Sequence, residues 1–320
     1  MDLRVKYLGL TLNTPFVVGA GPGSDDVTLA RGLQDAGAGA IVMRSLFEEQ
    51  VAPAAPGAAR DVAATFPDCA DYQMSPDSYL RQIERLKRQL SVPVIASLNG
   101  HQTDALAALA GRVERAGADA IELNFYQVVA DPGVAADEVE MEILRATGAI
   151  VAGVKIPVAV KLSPFHTSVA QLAVALELTG AAGVVVFNRF FQPDIDVDEL
   201  EARPVLRLTE PAELLLRLRW LAILSPLLRG SLAAAGGVQS ARDAAKAILA
   251  GAHVVQLVSV LLRHGPDVLT QLMRDLETWM GEHGFSDLEE CRGRLNLSRC
   301  RDATAFERAN YVRTVHNWRA

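Results

Sequence analysis

The sequence repeats one unit: a short apolar run, a loop, an amphipathic stretch, and a glycine just before the next apolar run. Four times the glycine is followed by alanine, in the pairs Gly37-Ala38, Gly117-Ala118, Gly180-Ala181 and Gly251-Ala252. Glycine at this place suits the left-handed residue that ends many helices. The repeat therefore predicts alternating strands and helices, the pattern of a parallel sheet covered by helices.

Eight apolar runs fit the repeat, and we predict these strands: Phe16 to Ala20, Ala40 to Arg44, Val94 to Leu98, Ala120 to Leu123, Val158 to Leu162, Val184 to Phe187, Leu232 to Ala235 and Val254 to Leu257. They are continuously apolar and do not alternate, which is typical of parallel strands buried on both faces. Eight such units favour an α/β fold of the closed (β/α)8 TIM barrel type over an open doubly wound sheet.

The two ends of the chain differ from this repeat. Residues 1–15 alternate apolar and polar positions around Gly9, which predicts an N-terminal β-hairpin. Residues 285–320 follow the last repeat and predict a C-terminal helical extension. Because no linker of proline, serine or charged residues divides the chain, we predict one domain over residues 1–320.

Composition excludes several classes of function. Half of the 320 residues are hydrophobic and the net charge is -7, which argues against nucleic acid or an anionic membrane as a partner. Three cysteines at irregular spacing predict a reducing compartment and no structural metal. The first residues lack a signal peptide, and no run approaches the ~18 apolar residues of a membrane span. We therefore expect a cytoplasmic protein that acts on a small-molecule substrate.

Polar residues stand where the predicted strands end, and barrel enzymes build their active sites at this end. The most unusual are three asparagines and two cations: Asn99, Asn124, Asn188, Arg44 and Lys161. Amides suit the edge of a heteroaromatic ring, and a lysine suits an electron-rich ring nitrogen or carbonyl. A lysine inside an apolar strand also needs a partner. With no metal-ligand set and no Ser/His/Asp triad, the pattern favours a flavin site.

Two glycines mark a phosphate site. Gly236 and Gly237 end the seventh predicted strand, and a helix predicted from about Ser240 to Ala250 follows them. Glycines let the backbone approach an anion, and the N–H groups of the next turn bind it. The loops after the last two strands of a barrel are the usual phosphate site.

Six segments, in this order, resemble the dihydroorotate dehydrogenase family, especially its class 1 branch: NTPFVVGAG, GADAIELN, PVAVKLSP, VVVFN, AAGGV and GAHVVQLVSVLLRHGP. The resemblance covers roughly residues 3–266 and implies FMN at the barrel mouth. It implies backbone contacts from Ala20 and Gly21, with Arg44 at a position where the family has lysine. It further implies hydrogen bonds from Asn99, Asn124 and Asn188, Lys161 beside the ring, and phosphate contacts from Gly236, Gly237 and Ser259.

One segment departs from the family. After the fourth strand the family pattern is Asn-x-Ser-Cys-Pro-Asn, whose cysteine removes a substrate proton; the sequence here is Asn124-Phe125-Tyr126-Gln127-Val128-Val129. Gln127 stands at the base position, and a neutral amide cannot accept a proton at useful pH. We therefore expect hydride transfer between FMN and a substrate other than dihydroorotate, in a pocket shaped by residues 46–75 and 125–136. Dihydroorotate requires Tyr126, Cys69 or another residue to act as the base.

Other interpretations stay open. The chain could be a flavin-binding subunit or regulator without catalysis, recruited through residues 267–320. It could instead bind a dinucleotide through the run Gly19 to Gly23, with Arg44 accommodating a 2′-phosphate. Asp194, Asp196 and Asp198 lack the glycine and glutamate of a calcium loop, so we predict a solvated acidic loop. Class 1 relatives are usually dimers, so a homodimer is expected; the electron acceptor stays open.

Overall fold

The computed structural model describes residues 1–50, 74–100, 103–189 and 192–317. Within these ranges the strands are β1 Val5–Tyr7, β2 Leu10–Leu12, β3 Phe16–Val18, β4 Ala40–Val42, β5 Leu46–Phe47, β6 Val94–Asn99, β7 Ala120–Asn124, β8 Val158–Leu162, β9 Gly183–Val186, β10 Pro193–Asp196, β11 Glu201–Pro204, β12 Ser231–Ala235 and β13 Val254–Leu257. Eight of them coincide with the predicted strands, although β3 and β4 end two residues earlier than predicted.

These eight strands close into a barrel. Around the ring, each strand pairs in parallel with its neighbours in the order β3, β4, β6, β7, β8, β9, β12 and β13, and β13 pairs with β3. The strand residues are buried almost throughout, as the continuous apolar runs required. The predicted (β/α)8 barrel is confirmed.

Helices cover the barrel between the strands. The α-helices in the described ranges are Val27–Asp35, Pro76–Gln89, Thr103–Arg115, Ala136–Gly153, Val169–Leu178, Leu214–Leu224, Ala241–Ala250, Ser259–His264, Val268–Glu282, Leu288–Cys291 and Ala309–His316. The four glycines of the Gly-Ala pairs all have positive φ, between 96° and 128°. They therefore end helices in the conformation that the sequence pattern predicted.

The N-terminal hairpin closes one end of the barrel. Strands β1 and β2 pair antiparallel, and the amide of Leu8 at their turn donates to Ser231 Oγ at 2.9 Å. A Cβ atom on Gly183 would lie 2.7 Å from the Leu8 side chain. Because Gly183 and Ser231 begin β9 and β12, the hairpin packs against the end opposite the predicted active site. This confirms the hairpin and shows its position.

The C-terminal extension is helical, as predicted, and it packs on the barrel's outer helices. The Gly293 amide donates to the Ile248 carbonyl at 3.0 Å, and the Leu297 amide donates to the Ala222 carbonyl at 2.9 Å. These bonds fasten the segment after Leu288–Cys291 to the helices that follow β11 and β12.

The acidic run differs from the prediction. Instead of a solvated loop, it lies in an antiparallel hairpin formed by β10 and β11. The carboxylate of Asp194 lies 3.0 Å from Arg207, and that of Asp196 lies 2.6 Å from Arg203. Both strands are mostly exposed, so the apolar signal that revealed the barrel strands is missing here. Ion pairs and backbone pairing hold the hairpin instead.

Burial of His253 makes stability depend on pH. Its Nδ1 accepts the Leu232 amide at 3.0 Å, and burial, with Arg292 nearby, lowers its pKa from 6.5 to about 4. The unfolded chain binds a proton near pH 6.5 and the folded chain only near pH 4. The contribution of His253 to the free energy of unfolding is therefore complete above pH 6.5 and is lost as the pH falls towards 4. We expect a loss of about 1.5 kcal/mol between pH 7 and pH 5 from this histidine.

Urea unfolding at the two pH values measures this loss. A His253→Gln variant keeps an acceptor for the Leu232 amide and removes the titration. We expect the difference between pH 7 and pH 5 to shrink by about 1.5 kcal/mol in the variant. If the difference in unfolding free energy between pH 7 and pH 5 were the same in the variant, protonation of His253 would not be the cause of the loss.

Candidate functional site

A cavity of about 730 Å³ opens at the carboxyl ends of the barrel strands. This volume is in the range of small-molecule and cofactor sites, roughly 300–1,000 Å³. We call it the mouth cavity. Ten of the eleven residues that the sequence singled out for binding or chemistry line it: Ala20, Gly21, Arg44, Asn99, Asn124, Tyr126, Lys161, Asn188, Gly236 and Ser259. The eleventh, Gly237, follows Gly236 in the chain and is not among the lining residues.

Lys161 lies at the floor of the mouth cavity with two buried partners. Its Nζ lies 3.2 Å from Glu122 Oε1 and donates to Gln256 Oε1 at 2.9 Å. Gln256 in turn donates from Nε2 to Glu122 Oε2 at 2.5 Å. The side chains of Lys161 and Glu122 are only 9% and 1% exposed. The partner that a buried lysine needs is therefore this carboxylate and amide, to which the sequence assigned no role.

A fourth polar group extends this cluster away from the mouth. Tyr7, from the N-terminal hairpin, is 1% exposed, and its phenol lies near the side chains of Glu122 and Gln256. Burial, together with the nearby Glu122 carboxylate, raises the pKa of Tyr7 well above its ordinary value, so the phenol stays protonated. Tyr7, Gln256, Glu122 and Lys161 form a polar column from the hairpin to the mouth cavity.

The asparagines form a row beside Lys161. Asn99 and Asn124 are register partners on β6 and β7, and Asn124 is the register partner of Lys161 on β8. Asn188 Nδ2 donates to Asn124 Oδ1 at 2.5 Å. Asn99 and Asn124 are buried, yet both line the cavity. Amide groups in a row can offer donors and acceptors to the edge of a flat polar ring.

The charged side chains that line the mouth cavity are cations. Three cations, Arg44, Lys161 and Arg189, are among the described residues that line it, and no carboxylate is. Each cation is paired with a carboxylate that lies outside the lining: Arg44 with Asp25, Lys161 with Glu122, and Arg189 with Glu213 at 3.8 Å. A cavity with this lining favours a ligand that carries negative charge.

Glycines and a buried arginine shape one side of the cavity. Gly236 and Gly237 have φ of 90° and 82°, and a Cβ atom on Gly237 would lie 2.5 Å from the backbone nitrogen of Leu214. Arg217, with a 6% exposed side chain, donates from Nε to the Ala235 carbonyl at 2.7 Å. Its Nη2 would lie 3.1 Å from a Cβ atom on Gly236. The narrow glycine turn thus has a buried cation beside it.

Ser259 is held in place by a neighbour. Its hydroxyl accepts the Thr209 amide at 2.9 Å and lies 2.9 Å from Thr209 Oγ1. Sequence reasoning missed Arg217 and Thr209. An arginine in a helix is usually solvated, and the helix Leu214–Leu224 has no apolar stripe that would mark Arg217 as buried. A threonine in a loop gives no signal of its position in space.

A second cavity, of about 530 Å³, lies beside the first, between the segments that follow β7 and β8. We call it the side cavity. Residues of the segment after β7 line the two cavities in turn: Asn124 and Tyr126 line the mouth cavity, and Phe125 and Gln127 line the side cavity. Gln127 is exposed and Tyr126 is half-buried. The glutamine that stands at the predicted base position therefore lines the side cavity.

Some sequence predictions fall outside the described ranges. Residues 51–73, most of the predicted 46–75 pocket segment, are among these, and so is Cys69. Within the described ranges, no cluster of three His, Cys, Asp or Glu side chains has the arrangement of a metal site. None of the described helices is both long and apolar enough to span a bilayer.

Comparison with known proteins agrees with this geometry. The family model for dihydroorotate dehydrogenase matches residues 2–205. The chain is 30% identical over 301 residues to the catalytic subunit of dihydroorotate dehydrogenase B (NAD(+)) from Desulforudis audaxviator, covering 90% of this chain and 96% of that protein. It is 26% identical over 325 residues to the chloroplastic dihydropyrimidine dehydrogenase (NADP(+)) of Arabidopsis thaliana, covering 91% of this chain and 76% of that protein.

Proposed function

This chain belongs to the dihydroorotate dehydrogenase family, whose members are FMN-dependent flavoenzymes, and on that premise we propose a function. The chain is an oxidoreductase that moves hydride between FMN and a CH–CH group of a small organic substrate. The resemblance to two kinds of pyrimidine dehydrogenase supports the reaction class. The substrate is a ring other than dihydroorotate.

The lining of the mouth cavity is the observation that carries this proposal. It combines cations, amides in a row and a narrow glycine turn, which are the groups that an anionic, flat, phosphorylated cofactor requires. FMN, when bound, supplies a ring that accepts or gives hydride. The residues themselves bind and orient the ring and keep water away from it.

We assign the residues to two ends of the cofactor. Asn99, Asn124, Asn188 and Lys161 hold the ring, with Lys161 fixed by Glu122 and Gln256. Gly236, Gly237 and Ser259 hold the phosphate, and Ala20 and Gly21 contact the cofactor through their backbone. Arg217 adds positive charge behind the glycine turn, because its guanidinium lies against Gly236. Buried, fixed donors cost little reorganisation when an anion binds.

The replacement of the family's cysteine base by Gln127 supports a substrate other than dihydroorotate. Gln127 cannot take a proton, and its side chain lines the side cavity. Tyr126 lines the mouth cavity and carries a phenol, which can donate or accept a proton. We assign proton transfer to Tyr126. The phenol would give its proton to carbon when a C=C bond is reduced, and the tyrosinate would take that proton back when the CH–CH bond is oxidised. FMN would supply or accept the hydride.

The absorption spectrum of the purified protein tests the cofactor. We expect the two visible bands of an oxidised flavin, and FMN on release by denaturation. A colourless protein that takes up no added FMN would contradict the proposal.

Dye reduction tests the substrate. We expect 5,6-dihydrouracil or a related cyclic dihydropyrimidine to reduce a dye through the protein, with dihydroorotate at least a hundredfold less active. Dihydroorotate activity equal to that of the dihydroorotate dehydrogenase B relative would show that the substrate has not changed.

Replacing Gly237 by alanine tests the phosphate site. A Cβ atom there would collide with the backbone of Leu214, and alanine resists φ of 82°. We expect a loss of stability of about 2 kcal/mol and roughly tenfold weaker FMN binding, measured by fluorescence titration.

Gly284→Ala is the matched control, since Gly284 has φ of 72° and no heavy atom within 4 Å of the added Cβ. It carries the same backbone strain far from the cavity. We expect a smaller loss of stability and unchanged FMN binding. Equal effects on FMN binding in the two variants would argue against a phosphate site at Gly237.

A second function is favoured by the neutral amide at the base position. The chain would bind FMN as a subunit or regulator without catalysis of its own. It would then show a flavin spectrum that no dihydropyrimidine bleaches, and it would co-purify with a partner protein. Bleaching by a substrate under anaerobic conditions decides against this second function.

A further inference from the structure

The side cavity is an open groove with exposed apolar walls. Four large apolar side chains among the described residues that line it are between 40% and 73% exposed: Val128, Val129, Val134 and Phe165. Phe125 and Ile143, which are buried, complete the apolar part of the lining. Soluble proteins rarely leave a contiguous apolar surface open to water unless another molecule covers it. The groove therefore suits the apolar face of a macromolecule.

The rim of this groove is acidic. Asp131 and Glu140 line it, and Asp137 and Glu138 are exposed nearby, in the first turn of the helix that carries Glu140. Residues 125–144 contain five carboxylates and no lysine or arginine. A partner that fits this surface must therefore bring positive charge around an apolar contact.

The helix Ala309–His316 in the C-terminal extension has an uncovered apolar face. Its large apolar side chains are all exposed, Tyr311 by 72%, Val312 by 54% and Val315 by 55%. Residues at this spacing lie on one face of a helix. A helix of eight residues is marginal in water and gains most of its stability from packing of its apolar face. The exposure of this face therefore indicates a partner that packs against it.

Basic side chains flank this face. The described chain after Glu307 carries Arg308 and Arg313 and no further carboxylate. Arg219 lies near Arg308, since both line the same shallow cavity, in which Glu307 is the carboxylate. Arg313 is paired with Asp302, but their side chains are 55% and 46% exposed. An ion pair so exposed contributes little, so Arg313 can exchange this carboxylate for another.

We propose that the helix Ala309–His316 of one copy of this chain binds in the side cavity of a second copy. The apolar face of the helix packs on the apolar walls of the groove, as amphipathic helices do in apolar grooves. Arg308 and Arg313 pair with the carboxylates of the rim. The contact does not depend on the proposed function, since none of these side chains lines the mouth cavity.

The two surfaces lie on different parts of one chain. The C-terminal helix lies beside Arg219 of the helix Leu214–Leu224, whereas the groove lies between the segments that follow β7 and β8. The two surfaces are therefore joined between copies. Two copies that exchange the contact reciprocally close a twofold dimer, in which each helix occupies the groove of the other chain.

Sedimentation velocity of the full chain tests whether the dimer exists. We expect the wild type to sediment as a dimer at about 10 μM, above the dissociation constants on the order of 1 μM that weak specific interfaces show. A wild type that sediments as a monomer at this concentration would overturn the proposal.

Reversing the charge of either surface should separate the copies. A groove variant carries Asp131→Lys and Glu138→Lys, and a helix variant carries Arg308→Glu and Arg313→Glu. Each variant places like charges opposite each other in both contacts of its own dimer, so we expect at least tenfold weaker self-association of each. Self-association as tight as that of the wild type in either variant would overturn the proposal.

An equimolar mixture of the groove variant and the helix variant gives the sharpest comparison. In a mixed dimer the new lysines of one chain face the new glutamates of the other, and the unchanged arginines face the unchanged carboxylates. We therefore expect the mixture to dimerise within a few-fold of the wild-type affinity. Because only folded chains can reassociate, this result also excludes misfolding of the variants. A mixture that stays monomeric would contradict the proposed contact.

The matched control for net charge is a chain with Arg242→Glu and Arg274→Glu. It changes the net charge as much as the helix variant does, but both arginines are exposed on other helices, Ala241–Ala250 and Val268–Glu282. We expect its dimer affinity to equal that of the wild type. A weakening as large as in the helix variant would assign the effect to net charge and overturn the proposal.

Discussion

Replacing Lys161 by methionine is expected to lower the free energy of unfolding by about 3–5 kcal/mol. Methionine has a similar length but no charge, so it leaves the Glu122 carboxyl group, 1% exposed, without its cation. Gln256 Oε1 would also lose its hydrogen-bond donor, because it accepts a hydrogen bond from Lys161. A buried charge without a partner is one of the few single changes that cost this much.

Urea unfolding of a double variant separates the ion pair from packing. Adding Glu122→Gln to Lys161→Met removes the orphan charge, and we expect most of the lost stability to return. Arg88→Met is the matched control, since Arg88 and Glu84 are exposed and 4.0 Å apart; its expected effect is below about 1 kcal/mol. If the double variant were no more stable than Lys161→Met, the loss would not come from the unpaired carboxylate.

Replacing Tyr126 by phenylalanine is expected to slow flavin reduction by about 10²–10⁴-fold, the usual contribution of a positioned acid or base. The change removes one oxygen from a half-buried ring that lines the mouth cavity. Because Tyr126 is not assigned to the cofactor, FMN binding and the flavin spectrum should not change. Stopped-flow mixing of the FMN-loaded protein with 5,6-dihydrouracil measures the rate of flavin bleaching directly.

Gln127→Ala is the control for Tyr126→Phe. Gln127 is the next residue in the chain, but its side chain lines the side cavity, so we expect rates within a few-fold of the wild type. A large loss of rate in Gln127→Ala, together with a small loss in Tyr126→Phe, would show that Tyr126 does not transfer the proton.

Local sequence patterns predicted much of the fold. The strands Val158–Leu162 and Val254–Leu257 were predicted with their observed limits, because a buried parallel strand is a nearly continuous apolar run, interrupted here only by Lys161 and Gln256. Gly251 revealed a helix end because its φ of 128° suits glycine. The grouping of the predicted site residues around the mouth cavity followed from one rule of topology. The parallel strands of a barrel all end on the same side.

The rest depends on which side chains meet across the barrel. Glu122 and Gln256 lie 134 residues apart in the chain, and only the closed ring brings them together beside Lys161. Arg217 is buried although its helix, Leu214–Leu224, also exposes leucines, so no pattern in that helix marks the inner face. The hairpin of β10 and β11 is exposed and charged, and its strands therefore lack the apolar runs on which the prediction depended.

The alternation of residues 124–127 between two cavities has a consequence for how this lineage can change. A mutation at Phe125 or Gln127 alters one compartment, and a mutation at Asn124 or Tyr126 alters the other. Selection can therefore remodel one compartment by point substitutions while the other is inherited intact. Because the two sets alternate along the chain, a one-residue insertion or deletion within the segment would alter both compartments at once. We expect natural relatives to vary here by substitution at constant length.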